Sequence, residues 1–113
     1  MRTALVMIPI LALIASALPA AGQPPAPQVI LDNASVRVTI LTFPPGAGTG
    51  RHQGIEAEVG IVVDGELTLE SPLGRTLLRP GTAYWIPGLT PHDVRNESGR
   101  PVKMFDVFLK RCD

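Results

Sequence analysis

The sequence predicts an all-β fold, a small antiparallel sandwich or barrel. Three observations predict it. Turn signals recur roughly every 8 to 12 residues, the short segments between them are rich in β-branched residues, and no segment carries an apolar period over helix length. Twelve prolines and eleven glycines in 113 residues therefore read as punctuation between strands rather than as disorder.

The chain opens on a leader. "MRTALVMIPILALIASALPAAGQ" has a basic residue, Arg2, a mostly apolar run over 4–18, and small residues after it, which is the three-part layout of a secretory signal peptide. The run falls short of the roughly 20 apolar residues that a bilayer span needs, and Pro9 interrupts it. Residues 1–22 are assigned to this signal peptide, with small-residue cleavage positions after Gly22 and after Ala17; an uncleaved anchor is the alternative. An exported protein is expected, periplasmic or secreted, with no membrane contact once the leader is gone. Cleavage removes only Arg2 from ten Lys+Arg and ten Asp+Glu, leaving nine against ten. Such a near-neutral domain offers no basic patch for nucleic acid and no charged tail. The lone cysteine, Cys112, has no internal partner, so the domain must be held by its core. Cys112 reads as an exposed free thiol, with a disulfide-linked dimer as the alternative.

After the leader, "PPAPQ" gives a Pro-rich, extended lead-in over 23–28, and 29–113 forms the folded domain. "QVILDNASV" is a candidate edge strand, free to pair with a second copy in a homodimer. "VRVTILTF", 36–43, alternates Val36, Val38 and Ile40 with Arg37 and Thr39, as a half-buried strand does, and "PPGAGTG", 44–50, breaks it. "EVGIVVDGELTLES" predicts a hairpin, with Asp64 and Gly65 supplying a turn that needs positive φ. "PLG" and "RPG" bracket a short strand near 76–78; "AYWIP" is another, closed by its proline; "PHDVRN" ends in the turn "NESG"; "VKMFDVFLK" is the last strand. "NAS" at 33 and "NES" at 96 fit the glycosylation acceptor pattern, a triplet that also arises readily by chance.

The chain's two histidines sit in stretches that resemble the two motifs of the cupins, small jelly-roll barrels: G-x5-H-x-H-x3,4-E-x6-G and G-x5-P-x-G-x2-H-x3-N. Gly46, His52, Glu58 and Gly65 keep the first spacing, with Gly54 where the second histidine falls; Gly81, Pro87, His92 and Asn96 keep the second, with Leu89 in place of its glycine. The resemblance covers nearly all of 29–113 and implies a single cupin-type jelly-roll barrel with a mononuclear metal site. Alternate residues of each strand line such a lumen, so ligands from separate strands can converge there.

What the resemblance implies is three histidines and a glutamate; what the chain offers is His52, His92 and Glu58. Two imidazoles and a carboxylate suit Fe(II), Mn or Zn and leave positions open for a small organic molecule. Glu56 is the second choice for the carboxylate, having the same strand parity but the wrong spacing to Gly65. Gln53 should point outward. Tyr84, Trp85, Met104 and Phe108, with Phe105, are the bulky side chains available for an apolar pocket wall, and Asp106 interrupts an apolar strand as a candidate acid or base. As an enzyme the chain would resemble metal-dependent oxygenases, isomerases or lyases. The alternatives are a metal-free barrel that binds a small molecule and a barrel that serves in assembly, without catalysis.

Overall fold

The computed structural model describes residues 23–110, so the leader read in 1–22 and Cys112 lie outside the described residues. Eight strands follow one another: β1 (Ala26–Asp32), β2 (Val36–Phe43), β3 (Ala57–Asp64), β4 (Leu67–Ser71), β5 (Gly74–Leu78), β6 (Ala83–Ile86), β7 (Asp93–Arg95) and β8 (Val102–Leu109), with no helix among the described residues. They form a five-stranded sheet in the order β1-β2-β8-β3-β6 and a three-stranded sheet in the order β5-β4-β7. Every pairing is antiparallel.

The segment expected to form one hairpin does not. β3 pairs with β8 and β6, whereas β4 pairs with β5 and β7, so the chain leaves one sheet at Asp64 and enters the other at Leu67. Gly65 does adopt the positive φ of 81° that the turn residues predict. A tight turn fixes a local reversal, however, and does not fix which sheet the outgoing strand joins. A register shift between Val62 and Asp64 bends β3 just before the turn and supplies the corner. The hairpin lies one step later, where Ser71 faces Gly74 and β4 returns as β5.

The register orders the lumen in layers. Phe43 faces Val102 at the bottom, then Leu41, Met104 and Val62 share a row, then Thr39, Asp106, Gly60 and Tyr84, and finally Arg37, Phe108, Glu58 and Ile86. Side chains two apart on a strand share a face, so these four rows point inward together. The lower rows join Leu67, Leu69, Leu78 and Val94 of the second sheet in the hydrophobic core. The upper rows are polar. The alternation in β2 does mark a two-faced strand, yet the inward face is the one bearing Arg37 and Thr39, and Val36, Val38 and Ile40 look outward.

Most of the expected break at 44–50 is not plain loop: residues 46–52 run alongside 92–96 as an irregular extra strand. Gly46 N donates to Asn96 O, Asn96 N to Ala47 O, and Thr49 N to Val94 O, and His52 and His92 exchange both backbone hydrogen bonds, at 3.0 and 2.9 Å. Gly46 and Gly50, with φ of 79° and 71°, provide the left-handed residues that keep the ladder irregular. Asn96 pins the far end: it is buried and its Nδ2 donates to Phe43 O, Pro44 O and Arg100 O. That amide is engaged inside the fold, so the triplet at 96 is a structural device and not an accessible acceptor.

Candidate metal centre

Both histidines are oriented by the same local device. His52 Nδ1 lies 2.8 Å from Gly50 O, and His92 Nδ1 lies 2.8 Å from Thr90 O, in each case the carbonyl two residues back. A carbonyl only accepts, so each Nδ1 carries the hydrogen, and each Nε2 is left for the site. The two rings lie 4.3 Å apart between centroids, tilted by 54°. The backbone exchange between His52 and His92 sets that distance.

Glu58 completes the group from β3. His92 Nε2 is 2.5 Å from Glu58 Oε1, and both side chains are buried, while His52 is exposed at the rim. One ligand atom from each of His52, Glu58 and His92 lies within 4.8 Å of the others. Two imidazole nitrogens and one carboxylate oxygen, converging from three separate segments, are placed to bind a metal and fit a divalent transition ion that keeps several coordination positions free. Glu56 is not among these donors; its carboxylate lies 3.7 Å from Arg37.

Electrostatics at the site follow from burial and mutual contact. The bond to Glu58 raises the His92 pKa above the ordinary imidazole value, against a desolvation that works to lower it. Burial opposes the Glu58 carboxylate, but hydrogen bonds from His92 and Asp106 together outweigh it and hold its pKa below the usual range. Asp106 goes the other way: burial first, then its hydrogen bond to the Glu58 carboxylate and the charge there, push it up to about 9. Asp106 Oδ1 is buried without an N–H or O–H partner. A proton on Asp106, donated to Glu58, is the arrangement that satisfies both carboxyl groups.

The bulky residues divide. Tyr84 leans over Gly60 toward Met104, with its hydroxyl 3.9 Å from Met104 Sδ, and burial beside Asp106 and Glu58 raises its phenol pKa. Met104 is fully buried beneath it, and Phe108 lines the cavity above. Trp85 does not belong with them: it is paired with Val59 on the outer face, 55% exposed, one residue out of phase with Tyr84. Phe105 is outward for the same reason of parity. Gln53 is exposed. Asp106, a candidate acid or base in the sequence, is inward and buried.

The two departures from the cupin motifs touch each other. Leu89 N donates to Gly54 O at 2.6 Å, and Leu89 is the only non-glycine with positive φ, 63°, among the described residues. The backbone keeps the left-handed turn at the position where the motif has glycine. At Gly54 an added Cβ would meet nothing within 4 Å.

Above the centre lies a cavity of about 400 Å³, walled by Arg37, Thr39, Asp106 and Phe108, by His52, and by Pro24, Pro25, Pro27 and Val29 of the lead-in and β1. Sequence reasoning missed Arg37 and the prolines. A cation on the apparently solvent-facing half of β2 was the available signal, since a barrel with a polar mouth inverts the usual rule that the apolar face points in. The prolines carried none, because nothing local says that an extended segment will fold back; here Gln23 O accepts from Gly48 N at 2.8 Å and ties it down.

Comparison with known proteins agrees with this geometry. The model of the family described as "Cupin domain" matches residues 39–108. The β-alanine degradation protein BauB of Pseudomonas aeruginosa is 41% identical over 93 residues, covering 79% of this chain and 98% of that protein. The H2HPP isomerase of Bacillus subtilis is 33% identical over 71 residues, 62% of this chain but 30% of the isomerase. Among solved structures, a cupin domain from Bordetella pertussis superposes with a TM-score of 0.67 at 32% identity, covering 80% of this chain and 97% of that one.

Proposed function

The chain belongs to the cupin domain family, and from that premise we propose that it binds one divalent transition metal through His52, Glu58 and His92 and receives a small organic molecule in the cavity above. The observation that carries this reading is the convergence of three donor atoms within 4.8 Å, with both imidazoles held in the tautomer that leaves Nε2 for the ion. Iron, manganese and zinc all suit the donor set. When bound, such an ion supplies Lewis-acid polarisation of a substrate oxygen. The chain's own residues do the rest: Gly50 O and Thr90 O fix the imidazoles, Asp106 holds a proton against Glu58, and Tyr84, Met104 and Phe108 exclude water below and beside the ligand. The names of the two relatives, one in β-alanine degradation and one an isomerase, support a small-molecule enzyme of the isomerase, lyase or oxygenase type.

Elemental analysis of the protein purified without chelator, beside a His92→Ala variant, tests this. Near-stoichiometric transition metal in the wild type and its loss in the variant is the expected result. A wild type that stays empty after metal is offered would favour the metal-free binding barrel, in which the His92–Glu58 bond is simply an internal ion pair.

Two further features belong to this reading. The apolar leader over 4–18 supports export to the periplasm or medium, checked by sequencing the N-terminus of the protein recovered from cell fractions. The outer face of the five-stranded sheet carries Val36, Val38, Ile40, Val59, Ile61 and Val107 together with Trp85. A contiguous apolar face of this kind is rare on monomers and supports a homodimer.

A further inference from the structure

The cavity above the metal centre has one permanently charged side chain in its wall, and that side chain is free to bind. Arg37 stands on the uppermost inward row of β2, beside Phe108 and in line with Glu58. Its guanidinium carbon lies 4.9 Å from the centroid of the Phe108 ring, a stacking distance that orients the planar fork without consuming its donors. It makes no hydrogen bond to protein among the described residues. Glu56, at 3.7 Å, neutralises part of its charge from the half-exposed side but is beyond hydrogen-bond reach.

Charge and shape then define a ligand. Arg37 is the one permanently charged group in the wall, and Glu56 offsets it only from the half-exposed side, so an anion is favoured beside its fork. A single guanidinium fork, its charge already partly offset by Glu56, matches a carboxylate presented in bidentate fashion better than it matches a doubly charged phosphate. The volume of about 400 Å³, lined on one side by Phe108, Val29 and prolines, accommodates a short carbon chain.

We propose that the cavity takes a short-chain carboxylate bearing a second oxygen function, with its carboxylate on Arg37 and its other oxygen at the His52, Glu58, His92 group. The Arg37 half of this assignment stands on the cavity; the other half rests on the metal reading above. Thr39, which lines the same wall, offers its hydroxyl to the connecting chain.

The test uses a matched pair of probes, 3-hydroxybutanoate and its neutral amide 3-hydroxybutanamide, titrated calorimetrically into zinc-loaded and zinc-free protein whose metal content is measured on the same samples. Wild type should bind the acid at least about tenfold more tightly than the amide, as a charge-assisted pair requires. Arg37→Gln should bring that ratio close to one while leaving zinc content and amide affinity unchanged, and Arg37→Lys, with charge but no fork, should fall between. An acid-to-amide ratio near one in the wild type, or a preference that survives in Arg37→Gln, overturns the proposal. The two readings fail separately. Protein that takes up no zinc yet prefers the acid through Arg37 keeps this subsite and removes the metal, whereas protein that holds zinc and shows no preference keeps the metal and removes the subsite.

Discussion

Gly54 leaves the centre one imidazole short of the cupin set, and nothing blocks the first atom of a side chain there. An added Cβ at Gly54 meets open space, its φ is not in the left-handed region, and its carbonyl bond to Leu89 N is a backbone contact that a side chain does not disturb. Gly54→His is therefore expected to fold normally and to tighten zinc binding by about tenfold or more, an added ligand being worth at least the roughly 1.4 kcal/mol that this factor represents. Competition with a chromogenic chelator measures it; unchanged affinity would show that position 54 points away from the ion. Asp106 supports a second prediction at this scale. Its pKa in the fold, about 9, lies far above the ordinary carboxyl value. Between those two pH values the folded protein holds a proton that the unfolded chain has lost, so stability falls as pH rises across that window, by up to about 1.4 kcal/mol per pH unit for one proton. His92, also raised, acts in the same direction where its imidazolium titrates: the support of its bond to Glu58 is complete below the unfolded value and is lost as pH rises through the folded one. The lowered Glu58 pKa acts oppositely, with support present above the unfolded value and lost as pH falls through the folded one. Asp106→Asn should flatten the alkaline limb in metal-free protein, read from urea midpoints between pH 5 and pH 9, and a limb as steep as wild type would assign the effect elsewhere.

At the level of strands, β3 and β6 are fitted to each other through one glycine. A methyl at Gly60 would fall within the Tyr84 ring, whose hydroxyl end reaches Met104 at the core. Gly60→Ala should cost about 1–3 kcal/mol, the range for overpacking a filled interior, and Tyr84→Leu in the same chain should recover part of it. Thermal melts of the single and double variants decide this; equal loss in both would deny the contact. The same strands show what was legible beforehand. β2, β6 and β8 could be placed from alternation and turn residues, because each has two distinct faces and a hard stop. The segment 46–52 could not, since its glycines look like a loop and its pairing partner, 92–96, is forty to fifty residues away. The parity of His52 and Gly54, and of Tyr84 against Trp85, was fixed only by register. The resemblance to the cupin motifs brought His52, Glu58 and His92 forward as a group, but it had no means of finding Arg37, whose role depends on which face of β2 turns inward.

For the molecule as a whole, the apolar outer face of the five-stranded sheet carries the largest consequence for assembly. Ile61 is 37% exposed and sits centrally on it, between Phe105 and Ala83. Light scattering should return a dimer for the wild type and a monomer for Ile61→Arg, and a wild type that remains monomeric at high concentration removes the homodimer. β1 has a different consequence. All seven of its residues are exposed, it pairs only with β2, and it nevertheless forms one wall of the ligand cavity together with the prolines before it. Few buried contacts hold it, so its amides should exchange with solvent earlier than those of β3 or β8. The groove that receives the ligand is thus walled on one flank by the strand expected to fray first, so that a bound molecule and an ordered β1 should stabilise each other.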